Sequence, residues 1–165
     1  MILQSAADGR SESPQFVIKQ TEHGHLCGQF ADNFGNASFK QPIPRQQVCD
    51  AIRNHDNGWL EADENPVLDP DTRLPYNVLA TPRSKLFGTS RNSPDYNERV
   101  HPYCGLISSM HSWGLYNGRY GLSDKIFVDF IEDEFQDEMK GMLDGELERQ
   151  ERLKSTLAED PETAA

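Results

Sequence analysis

No stretch of this sequence approaches the ~20 consecutive apolar residues of a membrane-spanning helix, and apolar residues fill only 36% of its 165 positions. Basic residues are also scarce: 16 Lys and Arg stand against 27 Asp and Glu, a net charge of −11. Neutralising the phosphates of DNA or RNA needs clustered Lys and Arg, so the deficit argues against nucleic acid as a partner. It argues equally against an anionic membrane surface. Only three cysteines are present, Cys27, Cys49 and Cys104, far apart and set in apolar stretches. Without C-x-x-C spacing they read as reduced, buried thiols of a cytoplasmic protein, not as a disulfide framework or structural zinc site. The opening Met1-Ile2-Leu3-Gln4-Ser5 lacks the basic flank and apolar length of a secretory signal.

What is there suits one domain. A polar, flexible leader covers 1–15, a helical domain covers 16–145, and an acidic helical extension with a disordered tail covers 146–165. Met1-Ile2-Leu3 and Phe16-Val17-Ile18 are short β-prone runs. The spacing predicts helices over 21–34, stopped by Gly35, over 45–57, and from Pro102 through Leu115. A last helix is expected after Ser123, amphipathic through Phe127, Phe130, Ile131, Phe135, Met139, Met142 and Leu143. Between Trp59 and Pro94, prolines and Asp-rich turns predict a long irregular loop. Its Trp59, Tyr76, Val78, Leu79, Leu86 and Phe87 predict that it packs down as a lid.

Three histidines fall on apolar stripes. His55 follows Val48, Ala51 and Ile52 by seven, four and three residues, so its ring points inward. Asp56 is next, turned about 100° round the axis and still able to reach the same point. Gly58 is expected to stop the helix in a left-handed cap. His23 shares the face of Leu26 and Cys27, whereas His25 falls on the polar side. His111 lies four after Ile107, seven after Cys104 and four before Leu115, on a helix without charge. Glu134 comes four after Phe130 and three after Ile131, a carboxylate on an apolar stripe. Imidazole and carboxylate together suit zinc, iron or manganese. Each buried imidazole left unpartnered costs about 1–3 kcal/mol, and one ion satisfies several together. The metal ligands expected are therefore His23, His55, Asp56 and His111, with Asp56 and Glu134 as catalytic carboxylates. Trp59, Asp63 and Tyr76 are the candidate substrate contacts.

The order His, then His-Asp, then a late His or Asp on helical segments resembles the HD superfamily of metal-dependent enzymes. More closely, Gln20-x-x-His23-x-x-Leu26-x-Gly28, His55-Asp56-x-Gly58-Trp59, Pro66, Pro75 and Ser109-x-His111 resemble a bacterial family of uncharacterised function related to it. The resemblance covers about residues 15 to 140. It implies an all-α, HD-like helical bundle, with a long irregular loop after the His-Asp helix. Its centre would bind one or two divalent transition ions through His23, His55, Asp56 and a later residue. The commoner pattern ends on an aspartate from a late helix. Here His111 comes first, Asp129 faces the wrong way, and Glu134 is the better placed carboxylate.

Three functions are compatible with these residues. The first is a metal-dependent hydrolase that cleaves a small phosphorylated molecule with an activated water. The second is a non-haem di-iron oxygenase acting on a small molecule, since histidine-rich ligation with an aspartate suits iron. The third is a non-catalytic binding module. The expected partner is a small-molecule substrate, with neither nucleic acid nor membrane; a homodimer is compatible with the composition.

Overall fold

Two short strands precede the first helix: β1 (Ile2–Gln4) and β2 (Phe16–Ile18) pair antiparallel, with Leu3 opposite Val17. The structure, a computed structural model, describes residues 1–4, 16–124 and 126–159. Most of the expected leader and the last six tail residues therefore lie outside the described residues. Beyond the ribbon the described residues are mostly helical, an all-α arrangement.

Helix α1 (Gln20–Asp32) forms where the first histidine stripe predicts it, but it buries a different face. Leu26, Phe30 and Phe34 are 49%, 71% and 51% exposed. The buried residues are Gln20, Thr21, Gly24, Gly28 and Ala31. Small residues let backbones approach more closely than aromatic ones. A Cβ added to Gly28 would lie 2.7 Å from Arg53 Cβ, and one on Gly24 2.9 Å from the Arg53 carbonyl. The partner is α2 (Arg45–Asn54), which ends three residues before the expected boundary. His55 and Asp56 occupy the turn beyond it, Asn57–Trp59 form a 3₁₀ turn, and α3 (Leu60–Glu64) follows.

Gly58 serves close packing; it does not form the expected left-handed cap. A Cβ there would meet the Thr89 carbonyl at 2.3 Å and the Ser93 nitrogen at 2.4 Å. Both belong to α4 (Arg83–Val100), a helix where irregular structure was expected. Pro94 sits inside it and is fully buried. A proline removes the bond to the carbonyl four residues back, here Ser90. The Ser112 hydroxyl, from α5 (Pro102–Tyr116), donates to that carbonyl at 3.2 Å and replaces the missing bond. Fully buried Asn97 ties three segments together: its amide donates to the carbonyls of Asn54 and Ser93, each at 3.0 Å, and to the Ser108 hydroxyl at 3.2 Å. His101 caps α5, its Nδ1 accepting from the Tyr103 amide at 3.0 Å.

Residues 126–135 do not continue a helix. They form 3₁₀ turns at Phe127–Phe130 and Asp133–Phe135, and α6 (Gln136–Ala158) starts only afterwards. That helix is unbroken across the expected 145/146 division, with Glu146, Gln150, Leu153 and Leu157 buried. Phe87, Tyr116, Ile131, Met139, Met142 and Leu143 form the apolar core. Beside it, Arg149 pairs with Asp95 and, at 2.7 Å, with Glu98, which also holds Arg152 at 2.7 Å. All three cysteines are free thiols. Among the described residues no helix is long and apolar enough to cross a membrane.

Candidate metal centre

The seam between α1 and α2 determines where the first ligands meet. At the start of α1, the Asp63 carboxylate reaches over from α3 and accepts from the Gln20 amide at 3.2 Å and the Thr21 amide at 2.9 Å. It also accepts from the Thr21 hydroxyl at 2.9 Å. A carboxylate at a helix N-terminus satisfies orphan amides and meets the positive end of the helix dipole. The expected substrate contact Asp63 is thus a buried cap, and it seats the turn that carries His23. His55 is held by its own helix, Nδ1 donating to the Ile52 carbonyl at 2.7 Å. In the neutral ring this leaves the Nε2 lone pair facing outward.

His23, His55 and Asp56 each offer a ligand atom, and these atoms all lie within 4.8 Å of one another. Donors to one ion at about 2.1 Å sit roughly 3–4 Å apart, so small side-chain rotations suffice to close the set. The Asp56 carboxylate is only 14% exposed, and the one polar side-chain atom paired with it among the described residues is His55 Nε2 at 3.4 Å, an ion pair only when that ring is protonated. Burial pushes its pKa above the usual carboxylate range, against the pull of His55 and His23. A buried carboxylate with so little compensation fits a cation. His111 stands next to His55, ring centroids 5.2 Å apart and perpendicular, and the His23 ring is 5.5 Å from that of His55. By accessible surface His111 is exposed, not turned inward as its stripe predicts, and it lies outside the His23–His55–Asp56 group, although protein packs densely round the ring. Burial, then His55, Arg119 and His23, lower its pKa to about 4, so it is neutral at pH 7.

These groups line a cavity of about 450 Å³. Gln20 belongs to the same wall, and its Oε1 is buried without a hydrogen-bond partner. Two cations line it as well. Arg83 is engaged with Glu132 at 2.9 and 3.1 Å. Arg119 has no side-chain hydrogen bond or ion pair among the described residues. Its backbone and that of Tyr120 are both left-handed, at φ 50° and 57°. Such residues cost roughly 1–3 kcal/mol each and persist only where the surroundings impose them. Here the Tyr120 hydroxyl donates to the Met110 carbonyl at 3.0 Å, and its ring packs on Trp113 at 5.2 Å.

The other expected site residues are distributed differently. Trp59 is buried and borders this cavity, but it also borders a second cleft of about 240 Å³ where Tyr76 is found. Glu134 is exposed in the 3₁₀ turn at Asp133–Phe135 and lines neither space, because the helix that would have turned it inward does not form. His25 and Asp129 are exposed. Ser109 is fully buried and donates to the Glu146 carbonyl at 3.1 Å, a structural bond. Sequence reasoning gave no role to Gln20, although its position three before His23 puts both on one helix face. Arg119 carried no such signal, since its placement depends on the left-handed turn.

Residues 1–165 match the family described as Protein of unknown function (DUF3891), and the chain belongs to that family. No curated protein and no solved structure matches it.

Proposed function

We propose that this DUF3891 member is an HD-like, metal-dependent hydrolase acting on a small phosphorylated molecule. The observation that carries the reading is the convergence of His23, His55 and Asp56 on one point, in a cavity that Arg119 also lines. His23, His55 and Asp56 would hold one divalent transition ion, of iron, manganese or zinc type, with His111 at hand for a second. Such an ion supplies Lewis acidity towards a phosphoryl oxygen and lowers the pKa of a water.

The protein's own groups do the rest. Arg119 offers a guanidinium fork to phosphoryl oxygens, a pairing suited to two parallel hydrogen bonds. The free oxygen of Asp56 accepts from the attacking water and orients it. Gln20 Oε1, otherwise unpartnered, accepts a second hydrogen bond from water or substrate. Trp59, Leu86 and Leu115 keep bulk water from that side of the site. Glu134 has no part in this scheme.

The test begins with metal analysis of protein purified without chelator, followed by phosphate release from a panel of phosphate esters. His55→Ala is expected to lose bound metal and all release while keeping its helical content. Arg119→Ala is expected to keep the metal and raise KM about 10- to 100-fold, the range for one charge-assisted pair. Metal-loaded protein that releases no phosphate from any ester would sink the assignment. Iron-dependent oxygen uptake would replace it with the di-iron oxygenase reading.

A further inference from the structure

The cavity wall changes character away from the ligand cluster. Leu86 and Leu115 come from α4 and α5, and Phe127 and Ile131 from the 3₁₀ segment; all four line it. Leu79 and Phe130 line it too, yet they are 67% and 69% exposed, which places them at its opening. Four residues before Phe130, Ile126 is 42% exposed.

Polar partners along this wall are few and mostly committed. The Ser90 hydroxyl donates to the Leu86 carbonyl at 2.9 Å and meets the Tyr116 hydroxyl at 3.3 Å. Arg83 is held by Glu132. Among the described residues, Gln20 Oε1 is the buried side-chain atom of this wall left without a partner. A sugar phosphate would bring several hydroxyls against Leu86, Leu115, Phe127 and Ile131. Each hydroxyl buried without a partner costs about 1–3 kcal/mol. An apolar body has no such penalty and removes apolar wall from water. A space of about 450 Å³ also exceeds what a phosphoryl group alone would fill, and lies in the size range of small-ligand pockets.

We infer that the substrate is an amphiphile, a phosphorylated head on an aliphatic or aromatic body free of hydroxyls. The head sits at His23, His55, Asp56 and Arg119; the body follows Leu86, Leu115, Phe127 and Ile131 and leaves between Leu79 and Phe130. This rests on the hydrolase reading for the identity of the head, and on the apolar wall for the body.

Binding of alkylphosphonates, which cannot be hydrolysed as esters, separates the two. With manganese-loaded wild-type protein, calorimetric titration with methyl-, propyl-, pentyl- and octylphosphonate is expected to give affinity rising about threefold per methylene. 2,3-Dihydroxypropylphosphonate should bind at least tenfold more weakly than propylphosphonate. Leu79→Ser and Phe130→Ser, at exposed positions that do not threaten the fold, should cut the octyl-to-methyl affinity ratio about tenfold and leave methylphosphonate unchanged. A flat series, a dihydroxypropyl compound that binds as well as propyl, or no binding of any member overturns the inference. If chain length matters but no phosphate ester is turned over, the hydrolase reading falls and the amphiphile stands. If esters are turned over and the series is flat, the reverse holds.

Discussion

Where α1 meets α2, the close contacts are Gly24 and Gly28 against the Arg53 backbone and Cβ; where α4, α5 and α6 meet, they are Phe87, Tyr116, Met139 and Met142. The first seam brings two main chains nearly into touch and leaves Leu26, Phe30 and Phe34 in solvent. The second buries large side chains and flanks them with the Arg149 ion pairs. Two tasks are thereby separated. Close backbone approach sets the positions of His23 and His55, a matter of ångströms, while the apolar core supplies most of the stability.

If that division holds, damage to each region should read out differently. The largest loss of stability is expected from Phe87→Ala, about 3–5 kcal/mol in denaturant titration, because Phe87 is 0% exposed. Its metal affinity, measured under folding conditions, should be within threefold of wild type. Phe30→Ala, at a 71% exposed position, should change stability by no more than about 0.5 kcal/mol. Equal losses from the two would break the contrast. Next comes Gly28→Ala, which must push α1 away from Arg53. About 1–3 kcal/mol is expected, with a metal affinity at least tenfold lower. Gly88→Ala in α4, where nothing lies within 4 Å of the new Cβ, should instead stabilise by about 0.5 kcal/mol. Asp63→Ala removes the cap of α1 and should cost about 1–2 kcal/mol, with weakened metal binding that Asp63→Glu partly restores.

The smallest effect belongs to the ion pairs of the second region. Arg152, and then Arg149, hold the Glu98 carboxyl below its ordinary range. Its contribution is therefore present above the unfolded group's 4.5 and is lost as pH falls towards the depressed value. The pair is partly solvated, so Glu98→Gln should cost under about 1 kcal/mol at pH 7. That gap should narrow as the same unfolding measurement is carried from pH 7 to progressively more acid buffers.

The histidine grouping was legible because spacing of three and four residues survives small errors in helix ends. α2 stops early and Asp56 lies in a turn, yet the two side chains still reach one point. Helix α4 was not legible, because Pro94 reads locally as a break. Its compensation, the Ser112 hydroxyl on Ser90, comes from another helix and leaves no mark nearby. Glu134 failed for the opposite reason: Phe127, Phe130 and Ile131 have helical spacing but fold as 3₁₀ turns. The buried face of α1 was missed because hydrophobicity ranks Phe30 above Gly28, whereas closeness of approach ranks them the other way. Asp63 caps residues 42 and 43 positions upstream, a distance at which no local pattern operates.

That cap has a thermodynamic consequence. Since Asp63 fastens the beginning of α1 to the stretch that follows the His55–Asp56 turn, the two arms of the site are joined by protein alone. Zinc-finger-like modules gather their ligands only when the ion arrives; the proposed centre would be built beforehand. Metal uptake should accordingly show a small heat-capacity change, and stripping with a chelator should leave the far-ultraviolet circular dichroism spectrum unaltered.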